Sequence, residues 1–204
     1  PVLEPIADAT IPEMVEYSFT AVATDVDAED TLTFSLDGAP DGAAIDASTG
    51  VFTWTPTEEQ GHGEYTFTVK VCDDADPALC DEQELKLTVT EVNIAPVLAE
   101  IADQEVDELE PLTLTFSATD ADLPAQNLAY SLVGEAHGAT LDAGTGKFSW
   151  IPTEAQGPGT FSFTVEVCDD GTPVLCDQKT FEVEVKEVNI PPVLAEIGDQ
   201  TVVA

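Results

Sequence analysis

The chain has 204 residues, with 41 acidic side chains set against five lysines and no arginine, for a formal charge of −36, yet 43% of its residues are hydrophobic. That apolar share excludes a disordered acidic tail, because such tails lack the side chains needed to build a core. A surface this anionic repels phosphates, which disfavours nucleic acid and anionic lipid as partners and makes divalent cations the natural counterions. No run approaches 18 apolar residues and no basic-then-apolar leader opens the sequence, so this stretch predicts no direct membrane contact. A signal or anchor of an exported parent is expected outside it.

Pro1-Val2-Leu3 returns as Pro96-Val97-Leu98 and again as Pro192-Val193-Leu194. The period, about 95 residues, is that of a small domain and is too long for an ankyrin or leucine-rich solenoid. The expected organisation is one repeat over 1–95, a second over 96–191, and the start of a third repeat or a tail over 192–204.

Within the first period, a short strand is expected near 2–6. Alternating apolar and polar residues then predict strands over 17–23, 31–36, 51–55, 64–72 and 84–92, with a short one at 44–45. Gly, Pro and Asp clusters separate them, and Asp41, Asp46 and Asp142 read as turn residues. The second repeat follows the same order, and no stretch sustains a 3.6-residue period. About seven strands per repeat predict an all-β chain of two tandem Ig-like β-sandwiches with Greek-key connections.

Each repeat carries one cysteine pair at the same spacing, Cys72 with Cys80 and Cys168 with Cys176. A Cys-x-x-Cys metal site would need tighter pairs or a nearby histidine, so a disulfide within each repeat is the better reading. Strand parity agrees. Tyr65, Phe67, Val69 and Val71 alternate with Thr66, Thr68, Lys70 and Cys72, and Leu85, Leu87 and Val89 lie on the matching face. A hairpin that sets Cys72 opposite Cys80 then sets Phe67 opposite Leu85 and Lys70 opposite Glu82, and in the second repeat Phe163 opposite Phe181. Disulfides imply an oxidising compartment.

Ala23-Thr24-Asp25-Val26-Asp27 recurs as Ala118-Thr119-Asp120-Ala121-Asp122, and between the copies lies Glu91-Val92-Asn93-Ile94-Ala95-Pro96, which returns as Glu187-Val188-Asn189-Ile190-Pro191-Pro192. With Glu13 and Glu108 early in each repeat, Glu58 and Glu154 after each Trp-x-Pro, and Asp73 and Asp169 late, this order resembles cadherin repeats, in particular the bacterial, dystroglycan-type cadherin-like repeats. The resemblance covers nearly the whole chain. It departs from the family in a linker one residue shorter, which has Ile94 where an aspartate is usual, and in a reduced Asp-Arg-Glu motif.

The resemblance implies a calcium site at the junction, held by Glu13, Glu58, Glu91, Asn93, Asp120, Asp122, Asp169 and Asp170. Asp25, Asp27, Asp73, Glu108, Glu154, Glu187 and Asn189 would form incomplete sites at the two ends. Calcium takes six to eight oxygen ligands, and carboxylates crowded round one linker repel each other without a cation. Because ligands for three ions are not all present, one or two ions are expected. Asp120 and Asp122, two residues apart, would point the same way on an extended strand.

Trp54 and Trp150 share strand parity with Phe52 and Phe148, which predicts core packing; exposed, they would instead form a platform for sugar rings. His62 and His137 stand at non-equivalent places and read as ordinary surface residues. Asn127 reads as a loop residue that also has a carbonyl to offer. No nucleophile–histidine constellation recurs, so no enzyme is expected. The functional expectation is a calcium-stiffened extracellular module of a secreted or cell-surface protein that binds another cadherin-like domain or surface protein. The alternatives are a module for complex polysaccharides and a spacer without a ligand.

Overall fold

The computed structural model describes residues 1–196 and 198. Its contacts divide the chain into two compact units, one of residues 1–94 with 121–126 and one of 95–120 with 127–204. Of the expected third repeat, residues 192–196 and 198 carry no regular structure, and the remainder lies outside the described residues.

In the first unit, β1 (Val2–Leu3), β2 (Ala9–Pro12), β3 (Tyr17–Thr20), β4 (Ala23–Thr24), β5 (Thr33–Asp37), β6 (Ala44–Ile45), β7 (Val51–Trp54), β8 (Glu64–Cys72) and β9 (Cys80–Thr90) follow in chain order. One sheet has the order β2-β9-β8-β5 and a second β3-β7-β6, while β1 pairs with β4. The nine segments correspond to seven strands, two of them interrupted. The first is split because β1 runs antiparallel to β4 whereas β2 runs parallel to β9. The other is broken at Ala21, whose amide turns aside to the Gly50 carbonyl at 2.8 Å.

The two long strands form where the alternation is strongest. In β8 and β9, Phe67, Val69, Val71, Leu85, Leu87 and Val89 are buried, and their polar neighbours face outward. The register sets Phe67 opposite Leu85, Lys70 opposite Glu82 and Cys72 opposite Cys80, as strand parity predicts. Phe52 of β7 stacks on Phe67 of β8 at 5.5 Å and on Phe19 of β3 at 4.8 Å, so one ring joins the two sheets. Each such buried ring contributes roughly 2–3 kcal/mol. Trp54 is 1% exposed, and its indole N–H donates to the Asp41 carbonyl.

The turn between β6 and β7 depends on two residues. Asp46 accepts from the Ser48 and Thr49 amides and from the Thr49 hydroxyl, which holds its carboxyl below the usual range. Gly50 has φ +69, and a Cβ there would lie 2.4 Å from the Ala21 carbonyl oxygen. Asp142 and Gly146 repeat the arrangement in the second unit.

The second unit repeats the scheme with β10 (Val97–Leu98), β11 (Gln104–Asp107), β12 (Leu112–Thr115), β13 (Ala118–Thr119), β14 (Ala129–Val133), β15 (Thr140–Leu141), β16 (Lys147–Trp150), β17 (Gly159–Cys168) and β18 (Cys176–Lys186). Its sheets are β11-β18-β17-β14, β12-β16-β15 and β10-β13. Phe163 faces Phe181 and Cys168 faces Cys176. Both cysteine pairs are disulfides. Among the described residues no helix is long and apolar enough to cross a membrane.

Three expectations change. The sequence does not announce the strands at Ala9–Pro12 and Gln104–Asp107, because Pro12 reads as a strand breaker and Gln104–Asp107 holds a single apolar residue. Strand β9 starts at Cys80, four residues before the expected 84–92, since the disulfide already sets those residues in pairing register. His137 is no ordinary surface residue: its ring lies edge-on to Phe161 and Phe163, and its carbonyl accepts from the Trp150 indole N–H.

Candidate metal centre

Parallel pairing of β2 with β9 builds the centre of the first unit. The register matches Pro12 with Thr90, so the next residues along, Glu13 and Glu91, leave the sheet side by side. The Glu13 amide donates to the Thr90 carbonyl at 3.0 Å, and the Met14 amide donates to the Pro56 carbonyl at 2.9 Å. The second bond draws in the turn that follows Pro56. There a short 3-10 helix, Glu58–Gln60, is fixed by its glutamine: Gln60 Oε1 accepts from the Thr57 amide, and Gln60 Nε2 donates to the Asp41 carbonyl. Glu58 heads that turn.

The three carboxylates converge, with one oxygen of each of Glu13, Glu58 and Glu91 lying within 4.8 Å of the others. Glu13 is 0% exposed. Its Oε1 accepts from the Val92 amide at 2.9 Å, whereas its Oε2 is buried with no hydrogen-bond partner. Glu58 Oε2 and both oxygens of Glu91 are likewise buried without one. No lysine forms an ion pair with any of the three among the described residues. Burial first, and then the charge of Glu13, pushes the Glu91 carboxyl up to about 7. Gly61 closes the wall of the cluster, since a Cβ there would lie 2.0 Å from Glu13 Oε2.

Residues 121–126 group with the first unit and add to the centre. The Leu123 amide donates to Glu58 Oε1 at 2.9 Å, and the Ile94 amide donates to Asp122 Oδ2 at 3.0 Å. Gln126 Nε2 donates to both Asn93 Oδ1, at 2.6 Å, and Asp122 Oδ2, at 2.8 Å. Thus Glu13, Glu58, Glu91, Asn93 and Asp122 come together in one unit, whereas Asp120, Asp169 and Asp170 belong to the other. Strand β13 ends at Thr119, so the extended-strand argument for Asp120 and Asp122 does not hold. Beyond Thr119 the chain leaves its pairing with β10 and turns.

The late aspartates hold the disulfide-closed loops. Asp73 Oδ1 accepts from the Ala75 and Leu79 amides, and Asp169 Oδ1 accepts from the Gly171 and Leu175 amides. Asp170 binds Asn127 with both oxygens, which lowers its carboxyl below the usual range and confirms Asn127 as a loop residue. In the first unit, Asp25 Oδ1 accepts from the Asp27 amide.

The second unit contains a copy of the cluster. Glu108 is 2% exposed, accepts from the Val188 amide at 2.9 Å through Oε1, and has a buried Oε2 with no partner. It converges with Glu154 and Glu187, which are exposed. Burial and then the Glu108 charge raise the Glu187 carboxyl. Asn189 is exposed.

Sequence reasoning missed Gln126 and His62 here. Gln126 has no counterpart in the first repeat, where Asp30 stands at that position, so repetition does not reveal it. His62 Nδ1 lies 3.3 Å from Glu91 Oε2. Its flanking glycines, Gly61 and Gly63, were the available signal.

Buried carboxylate oxygens without donors, gathered with an amide carbonyl, form a donor set for a hard dication. The residues of the first unit therefore fit calcium, because a cation would satisfy Glu13 Oε2 and Glu58 Oε2, which are buried without a hydrogen-bond partner.

Comparison with known proteins agrees with this architecture. Residues 1–90 match a family model described as a putative Ig domain, and residues 93–184 match one described as a bacterial Ig domain. Human protocadherin Fat 1 is 28% identical over 183 residues, which is 83% of this chain and 4% of Fat 1. Among solved structures, mouse cadherin-23 EC22-24 has a TM-score of 0.54 at 21% identity, over 90% of this chain and 65% of that one. Drosophila N-cadherin EC1-4 has 0.58 at 22% identity, over 88% and 47%. Human protocadherin-24 EC1-2 has 0.56 at 18% identity, over 90% and 95%. At these identities the structural likeness is one of fold.

Proposed function

Because the chain is a tandem pair of cadherin-like repeats, we propose that it is a calcium-binding extracellular module in which bound ions stiffen the stretch at residues 91–96 and support association with another surface protein or a second copy. The observation that carries this reading is Glu13, fully buried with an unpartnered oxygen beside two further carboxylates. Glu13, Glu58, Glu91, Asn93 and Asp122 would hold the ion. Calcium would supply the positive charge that these carboxylate and amide oxygens coordinate, in a structural and not a catalytic capacity. The protein's own part is to pre-assemble the carboxylates: the β2–β9 register sets Glu13 beside Glu91, and the Leu123 amide orients Glu58.

Glu108, Glu154, Glu187 and Asn189 are proposed as a second, weaker site, since two of its carboxylates are exposed and water competes for them. Asp170 is left out, because Asn127 engages both its oxygens. The sugar-platform reading required exposed tryptophans, and both are 1% exposed.

Calorimetric titration of metal-stripped protein tests the proposal. Calcium binding with a rise in melting temperature is expected, and sedimentation velocity with and without calcium then reports association. Absence of both heat and thermal shift would overturn the calcium reading.

A further inference from the structure

Resting on the reading of Glu13, Glu58 and Glu91 as a cation site, we propose that the first repeat also accepts a first-row transition dication, such as Mn2+ or Zn2+, with His62 as a nitrogen ligand that the second repeat lacks.

The two carboxylate clusters are near copies, but the residues beside them differ in one chemically decisive place. Glu58-Glu59-Gln60-Gly61-His62-Gly63 in the first repeat corresponds to Glu154-Ala155-Gln156-Gly157-Pro158-Gly159 in the second. An imidazole therefore stands at one cluster, and a proline with no side-chain donor at the other. Calcium and magnesium take oxygen ligands, whereas imidazole nitrogen suits Zn2+ and the other later first-row dications; Mn2+ favours the carboxylates and, once bound beside an imidazole, reports that nitrogen spectroscopically.

The geometry supports a ligand role for His62. Its Nδ1 lies 3.3 Å from Glu91 Oε2, close to the separation of about 3.4 Å between adjacent ligands of a tetrahedral ion with bonds of about 2.1 Å. The ring has freedom to swing, since the side chain is 58% exposed. Its backbone takes φ +57 between two glycines, a conformation that glycine supplies without steric cost and that few other residues adopt. A second observation at the same place also calls for a ligand. Glu13 is fully buried, and its Oε2 has no partner. In the second repeat, Glu108 has the same orphaned oxygen, but Pro158 stands in the place of the histidine, so the expected selectivity belongs to the first cluster.

The test uses untagged, metal-stripped full chain titrated with Mn2+, Zn2+ and Ca2+ separately, in the wild type and in His62→Asn, with His137→Asn as control. Asparagine tolerates the left-handed backbone, so folding is preserved. Electron paramagnetic resonance of bound Mn2+ should show nitrogen coupling in the wild type and in His137→Asn, and none in His62→Asn. The ratio of Mn2+ or Zn2+ affinity to Ca2+ affinity should fall at least about tenfold in His62→Asn, the scale lost when even an outer partner of a metal ligand is removed. Nitrogen coupling that survives in His62→Asn, or an unchanged ratio, overturns the inference. Calcium binding without any His62-dependent Mn2+ or Zn2+ binding overturns this inference alone. Failure of all three ions to bind overturns the calcium reading with it.

Discussion

The Val92 amide donates to Glu13 Oε1 at 2.9 Å across 79 positions of sequence, and Val188 donates to Glu108 Oε1 at the same distance. In both units the hydrogen bond pins one oxygen of a buried glutamate and leaves the other turned into a carboxylate cluster without a partner. An uncompensated buried charge is costly, so a cation bound there would stabilise the fold.

Glu13→Gln should therefore have opposite effects with and without calcium. In metal-free protein, one negative charge leaves a group of three, and the melting temperature should rise by several degrees, about 4–8 °C for each kcal/mol gained in a domain of this size. The calcium-induced rise should largely disappear. Differential scanning calorimetry in chelator and in excess calcium checks both.

The pH dependence of metal-free protein follows from Glu91, whose carboxyl is raised from 4.5 to about 7 by burial and by Glu13. A folded-state value above the unfolded one means that the folded protein holds the proton more tightly. The contribution is present below 4.5 and is lost as the pH rises through about 7. Melting temperature without metal should accordingly fall across that window. Calcium competes with the same proton, so its affinity should increase over the same range, as read by calorimetric titration.

Gly61→Ala separates site from fold. Its φ of −57 and ψ of 154 suit any residue, yet the added Cβ would lie 2.0 Å from Glu13 Oε2 and 3.0 Å from Glu91 Oε2. Circular dichroism should show an intact β-sandwich, while calcium affinity of the first site weakens by roughly a decade, in line with the dependence of such sites on ligand placement.

Replacing Cys72 and Cys80 with serine should cost about 2.5 kcal/mol by the chain-entropy account of a loop this short. The loop also carries the Asp73 contacts to Ala75 and Leu79, so its local protection from hydrogen exchange should fall with the urea midpoint.

Trp54 and Trp150 should be nearly inaccessible to acrylamide quenching in the folded protein. Trp54→Ala should destabilise by roughly 3–5 kcal/mol, the cost of emptying a packed aromatic site. Retention of Trp54→Ala on insoluble polysaccharide should match that of wild type at any temperature where both are folded.

Much of the sandwich was legible from residues in order. The pairs Phe67 with Leu85 and Phe163 with Phe181 follow from parity once the cysteines are set opposite each other, because successive side chains on a strand alternate faces and both ladders run without a bulge. The burial of Trp54 and Trp150 follows from the parity they share with Phe52 and Phe148. The carboxylates of the site were legible only through the family resemblance. Their neighbours Gln126 and His62 were not, since neither recurs in the other repeat.

The two-repeat organisation, the strand alternation and the cysteine pairing belong to the sequence itself, because each depends on spacings of a few residues or on direct repetition. The convergence of Glu13 with Glu91 was decided by the tertiary structure. It needs a strand ending in a proline that masks it in the sequence, laid parallel to β9 in one register, so that Pro12 meets Thr90 and the next two side chains leave together. No local pattern specifies that pairing. It is chosen by the packing of Ile11 into the same core as Leu87 and Val89, which is where distant segments first meet.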